Sequence, residues 1–241
     1  MLAVSVNRRQ FIKYSAKAIT SYSLPDCSSA IGSNEYDERY GHSPNYYNGK
    51  FHNLIETSEG RKPGTFFEML GEIVFGEQER EPNFELPVNQ LGPSFFKSSP
   101  TTGLRAIWMG HSSVLIEIDG RRLLVDPVWS DRLGPPLVGR KRFHKSPIQI
   151  DSLPKLDAIL ISHEHNDHLD RDTILALAKR ETKYYVPLGV GEHLKEWGIQ
   201  AKRIVEMDWR DSTTLGGDDF TIMATPARHY PGRLFSSIPT C

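Results

Sequence analysis

The stretch Leu156–Asp170, LDAILISHEHNDHLD, constrains this chain more than any other. Ala158, Ile159, Leu160 and Ile161, led in by Leu156, have the character of a buried strand, which ends at Ser162. His163, Glu164, His165, Asn166, Asp167 and His168 follow directly, so imidazoles and carboxylates crowd into one short segment. Neutral imidazole nitrogens and carboxylate oxygens are the ligands that zinc and similar divalent metals take. Burying so many of them unpaired would cost on the order of several kcal/mol, so a purely structural use is expensive.

The spacing narrows the geometry. A zinc-binding helix of the His-Glu-x-x-His type needs histidines four apart, and the fourth position after His163 is Asp167. The pattern is instead His-x-His-x-Asp-His. Residues at i and i+2 do not share a helix face, so these side chains must project from an irregular loop between a strand and a helix. The helix is predicted over Thr173–Arg180, capped by Asp170 or Asp172, with His168 just before its start.

The rest of the composition excludes several alternatives. The 241 residues suit one large domain, or a domain plus an extension, and 38% hydrophobic and 24% charged residues are ordinary for a soluble globular chain. The only cysteines, Cys27 and Cys241, rule out a disulfide framework and a cysteine-rich zinc finger, so a metal site must use His, Asp or Glu. A net charge of -1 gives no global field for nucleic acid. No apolar run is long enough to span a bilayer. A small-molecule substrate is left as the expected partner.

Three regions are expected. Residues 1–30 do not read as fold; Asn7-Arg8-Arg9-Gln10-Phe11-Ile12-Lys13 resembles a twin-arginine export signal, although the segment behind it is diluted by Lys17 and by hydroxyl side chains. A working signal would place the chain in the periplasm or cell envelope, and a frayed basic terminus would leave it cytoplasmic. Residues 31–99 form an arm in which Tyr36, Tyr40, Tyr46, Tyr47 and Phe51 anchor an otherwise loop-rich stretch on another surface. One helix is predicted there over Thr65–Phe75, and His42 and His52 read as surface residues. Residues 100–241 carry the main domain.

That domain opens as an antiparallel meander. Arg105–Met109 and Val114–Ile118 are strands, Asp119-Gly120 is a hairpin turn, and Arg122–Val125 pairs back to end in Asp126-Pro127. Asp126, a charge at the end of an apolar strand, needs a partner unless it simply ends the strand in an Asp-Pro turn. His111, flanked by Gly110 and Ser112, reads as a satisfied turn histidine. Arg140, Lys141, Arg142, His144 and Lys145 form a basic loop, either a solvated run or a contact for a phosphate-bearing substrate. Further on, strands are expected over Tyr184–Pro187, Ile204–Glu206 and Phe220–Ala224, and a helix over Gly189–Trp197 with an exposed, structural His193.

The strand–loop–helix placement of His-x-His-x-Asp-His resembles the metallo-β-lactamase superfamily of metal-dependent hydrolases. The phrases WMGHSSVLIEIDGRRLLVDPVWS, GRKRFHKSPIQIDSLPKLDAILISHEHNDHLD and TPARHYPGR are similar to the branch that contains N-acylphosphatidylethanolamine-hydrolysing phospholipase D. The resemblance implies an α/β fold, the αββα sandwich of that family, and a pair of metal ions, zinc first, with iron or manganese not excluded. It implies His163, His165 and His229 as ligands of one metal, Asp167 and His168 as ligands of the other, Asp167 as the residue nearest the chemistry, Asp126 hydrogen-bonded behind the metal-binding loop, and, as the alternative for His111, a place near the mouth of the site. The implied reaction is phosphodiester hydrolysis of a phospholipid-like substrate, with lactone or ester hydrolysis as the rival.

The family pattern also calls for a bridging aspartate in a later Gly-Asp segment and another histidine beyond it. No Asp follows Asp219 and no His follows His229. The expectation is therefore of a sandwich whose first half is present and whose second half is largely missing: a truncated hydrolase able to hold one metal in a three-histidine site, or an inactive fragment.

Overall fold

The computed structural model describes residues 3–6, 33–55, 81–134, 140–217, 220–229 and 238. The twin-arginine stretch, the helix predicted over residues 65–75 and both cysteines lie outside them. The first elements are strand β1 (Ala3–Val6), helix α1 (Ser33–Tyr40) and the small hairpin of β2 (Tyr46–Tyr47) and β3 (Lys50–Phe51). The meander follows as β4 (Leu104–Gly110), β5 (Ser113–Ile118) and β6 (Arg121–Val125), then a short ribbon of β7 (Arg132–Leu133) and β8 (Arg140–Lys141). After it come β9 (Ala158–Leu160), α2 (Arg171–Leu177), β10 (Lys183–Pro187), α3 (Val190–Glu196), β11 (Ile204–Met207), β12 (Ser212–Thr214) and β13 (Thr221–Thr225).

Six strands form one sheet in the order β11-β10-β9-β6-β5-β4. The meander β4-β5-β6 is antiparallel, as its alternating pattern and the Asp119-Gly120 turn require, and both turn residues adopt the positive φ that such a hairpin needs (46° and 77°). From β6 onward the pairing is parallel, and the crossovers β9–α2–β10 and β10–α3–β11 supply the helices that parallel strands demand. All three residues of β9 are buried, as expected of a parallel strand covered on both faces.

Two cores follow from the alternation of side chains across the sheet. Leu115, Leu124, Ile159, Tyr184 and Val186 point to the helical side and pack with Ile174 and Leu177 of α2 and Val190 and Leu194 of α3. Leu123, Ala158, Leu160 and Tyr185 point to the other side and meet Leu215, Phe220, Ile222 and Ala224. The latter residues belong to the segment that carries a second sheet of order β1-β13-β12. The layering is helix, sheet, sheet. Neither β1 nor β12 was expected, since the first residues read as non-fold and Ser212–Thr214 carries no apolar alternation.

The aromatic arm docks as its pattern predicts: Tyr40, Tyr46 and Leu188 form a buried cluster joined by Tyr36, Phe51 and Trp209. Tyr47 stays half exposed, stacked on His52. His193, expected on an exposed helix face, is buried at 3% exposure beside Trp197. The predicted helix over Thr173–Arg180 begins earlier and ends at Leu177. Among the described residues no helix is long and apolar enough to cross a membrane.

Candidate metal centre

Parallel pairing places the site. Val125 of β6 faces Leu160 of β9, so Asp126 and Ser162 leave the sheet side by side at the carboxyl ends of parallel strands, where sites on such sheets form. Asp126 sits at φ 43°, a conformation that a short polar residue tolerates better than most. Its carboxylate accepts from the Ser162 N–H at 2.6 Å and from Ser162 Oγ at 2.7 Å, and pairs with His168 Nδ1 at 2.9 Å.

That network fixes two tautomers. The Ser162 hydroxyl has a single proton, and giving it to Asp126 leaves the oxygen to accept from His163 Nδ1 at 2.8 Å. His168 Nδ1 likewise donates to Asp126. Both rings therefore turn an Nε2 lone pair outward, the state a metal ligand requires. Of the two readings of Asp126, its geometry fits the orienting one.

His163, His165 and His229 bring one ligand atom each to within 4.8 Å of one another. His163 Nε2 lies 3.0 Å from His165 Nδ1. His229 arrives from a different element, four residues beyond the end of β13. Its backbone is clamped by the arm: the His229 N–H donates to Asn53 Oδ1 at 3.0 Å, and Asn53 Nδ2 donates to the His229 carbonyl at 2.9 Å. Nothing in the sequence pointed to Asn53.

Burial, reinforced by the neighbouring imidazoles, pushes the His163 pKa far below its usual value and takes His229 down to about 2. For His168 burial acts in the same direction, but the hydrogen bond to Asp126 and the surrounding carboxylates outweigh it, and its pKa rises. Burial alone would raise Asp167; the His111 hydrogen bond and the charge of His168 bring it down to about 2.

These residues fit a divalent metal. His165 Nε2 and His229 Nε2 are buried and make no hydrogen bond, an arrangement that costs about 1–3 kcal/mol per group when nothing fills it. Three imidazoles converging from two elements, one of them held through Ser162 by the Asp126 carboxylate, match the ligand chemistry of zinc, iron or manganese. Asp167 and His168 lie on the adjoining side, with the His168 ring 4.0 Å from that of His163, centroid to centroid.

The basic loop divides. Arg142 is committed to structure: its guanidinium donates to the Met109 carbonyl at 2.7 Å and to the Val128 carbonyl, and desolvation lowers its pKa. It is therefore a brace, not a substrate contact. His144 packs edge-on against Trp108, while Lys141 and Lys145 stay at the surface.

Residues 121–240 match the model of the β-lactamase superfamily domain. An uncharacterised protein of Mycobacterium tuberculosis is 42% identical over 197 residues, 80% of this chain and 52% of that protein. An N-acyl-phosphatidylethanolamine-hydrolysing phospholipase D of Caenorhabditis elegans is 36% identical over 152 residues, 60% of this chain and 42% of the enzyme. A metal-dependent hydrolase of Hyperthermus butylicus is 27% identical over 127 residues, 52% of this chain and 51% of that protein. The chain spans about half the length of the curated relatives it matches.

Proposed function

This chain belongs to the metallo-β-lactamase superfamily, and on that premise we propose that it serves metal-dependent hydrolysis of a phosphodiester bond in a phospholipid-like substrate. The observation that carries the reading is the convergence of His163, His165 and His229 within 4.8 Å. The likeness to the Caenorhabditis elegans phospholipase D supports the substrate class.

His163, His165 and His229 would hold one metal, and Asp167 and His168 would contribute to a second. When bound, such metals supply Lewis acidity and a water acidic enough to ionise near neutral pH. The chain's own residues do the positioning. Asp126 and Ser162 hold Nδ1 of His168 and His163 and so aim the Nε2 atoms of both rings into the site. Asp167, ionised well below neutral pH, offers an acceptor for the proton of an attacking water. Asn53 holds the His229 peptide in place. Zinc is the first candidate, with iron and manganese as alternatives.

The test is hydrolysis of bis(p-nitrophenyl) phosphate, of N-acylphosphatidylethanolamine in mixed micelles, and of a simple lactone by purified protein, before and after chelation. Metal-dependent cleavage of the two phosphodiesters is the expected result. Cleavage of the lactone alone would replace the substrate class. No turnover of any of them at full metal loading would make the chain a metal-binding protein without hydrolase activity.

A further inference from the structure

Large apolar side chains stand in water on two sides of the metal centre. On one side is Trp108, near the end of the edge strand β4 and 56% exposed. Its indole N–H donates to the His111 carbonyl at 2.8 Å, and His111 Nε2 lies 2.9 Å from Asp167 Oδ2. That chain of contacts fixes the indole at the rim of the metal loop. The ring also packs edge-on against His144, whose neighbour Phe143 is 50% exposed. On the other side the arm supplies the rim. Asn53 clamps the His229 peptide, and the next two residues, Leu54 and Ile55, are each more than half exposed.

Both rims rest on fixed backbone. Behind Trp108, Gly110 takes φ 104°, and a Cβ there would collide with the Arg142 guanidinium that braces the turn. Ser112 Oγ ties the same turn to the Asp167 carbonyl at 2.7 Å. The arm is anchored by the buried cluster of Tyr40, Tyr46 and Leu188. Cations accompany the apolar groups. Lys141 and Lys145, both exposed, flank Phe143, and the exposed Arg228 precedes His229. Apolar side chains rimmed by polar ones mark a contact site on a soluble surface. Aromatic rings with lysines beside them match the headgroup boundary of a bilayer, where the rings sit at the apolar edge and the ammonium groups meet anionic headgroups.

We propose that this face docks on an anionic lipid surface. Trp108, Phe143, Leu54 and Ile55 enter the headgroup boundary, and Lys141, Lys145 and Arg228 pair with its phosphates, so that the metal centre between the two rims faces the membrane plane. The inference rests on the phospholipid reading for its substrate, while the docking itself needs neither turnover nor metal.

The experiment is cosedimentation with vesicles of phosphatidylcholine, alone or mixed in equal parts with phosphatidylglycerol. The full chain is first stripped of metal with a chelator so that no lipid is cleaved. Binding to the mixed vesicles is expected, weaker on phosphatidylcholine and falling as salt is raised. Phe143→Ser combined with Leu54→Ser should lower partitioning on both vesicles by roughly 10-fold. Lys141→Ser combined with Lys145→Ser should lower it by roughly 10-fold or more on the mixed vesicles alone. Circular dichroism checks the fold of each variant, and the blue shift of tryptophan emission on binding should be lost in Trp108→Phe. No binding to either vesicle, equal binding by the unaltered chain and both double variants, or an emission shift that survives in Trp108→Phe would overturn the proposal. A lipid-free dimer that the apolar double variant dissociates would give this face to a second copy of the chain and overturn it too. Cleavage of bis(p-nitrophenyl) phosphate by metal-loaded protein that ignores vesicles would remove the docking and leave the hydrolase reading standing. Vesicle binding by protein that cleaves neither phosphodiester nor lactone would uphold the docking and remove the hydrolase reading.

Discussion

At the scale of single residues, His163 and His229 show how burial sets charge before any metal arrives. An imidazole in the unfolded chain titrates near 6.5, whereas both rings in the fold stay neutral to much lower pH, His229 to about 2. Their folded pKa values lie below the unfolded value, so the unfolded state binds more protons below pH 6.5. Stability is full above that pH and falls as the pH drops toward the folded values, by roughly 1.4 kcal/mol per pH unit for each ring. His168 has the opposite shift; its contribution is present below the unfolded value and is lost as pH rises, so it does not offset the fall between pH 6 and 5. Urea unfolding of chelator-treated protein should therefore lose roughly 2–3 kcal/mol over that unit, and His229→Gln should halve the slope. An unchanged slope in the variant would mean that His229 is solvated in the metal-free fold.

At the scale of elements, one pair of hydrogen bonds ties the arm to the segment that carries His229. Asn53 lies just past the β2–β3 hairpin and clamps the peptide of His229, 176 positions away in sequence. The arm is fixed upstream by Tyr40 against Leu188 and by the Arg39–Glu192 ion pair, so the clamp is held from behind. Asn53→Ala should cost about 1–3 kcal/mol in stability and weaken zinc binding at the three-histidine group by roughly 10-fold, read by competition with a chromophoric chelator. Asn53→Asp, which keeps the acceptor for the His229 N–H and loses the donor, should fall between the two. Wild-type zinc affinity in Asn53→Ala would mean that β13 alone positions His229. This contact also marks where the sequence stops being informative. The meander was legible because β5 alternates and Asp119-Gly120 can only turn, and the metal loop because its spacing excludes a helix. Asn53, His111 and the bracing role of Arg142 were not, because a polar residue in a loop carries no periodicity and its role is created by a partner that only the fold brings near. His193 misled for a related reason: its helix is short, and the buried face is set by β10 and β11 rather than by its own pattern.

At the scale of the molecule, the candidate ligands are divided between the two layers of sheet. His163, His165, Asp167 and His168 follow β9 of the large sheet, whereas His229 follows β13 of the small one. The apolar contact between the layers, with Ile222 at 1% exposure against residues such as Leu160 and Tyr185, therefore sets the distance between ligands as well as holding the fold. Ile222→Ala should lower stability by about 2–5 kcal/mol through the cavity it leaves. Leu194→Ala, an equally buried deletion in the core on the helical side, should cost a similar amount. The two should part in metal binding, because only the first loosens the layer that carries His229. Zinc affinity measured well below the unfolding midpoint should fall in Ile222→Ala and hold in Leu194→Ala. Equal losses in both would mean that metal binding follows global stability alone. Equal retention would mean that the Asn53 clamp suffices to place His229 whatever the packing between the sheets.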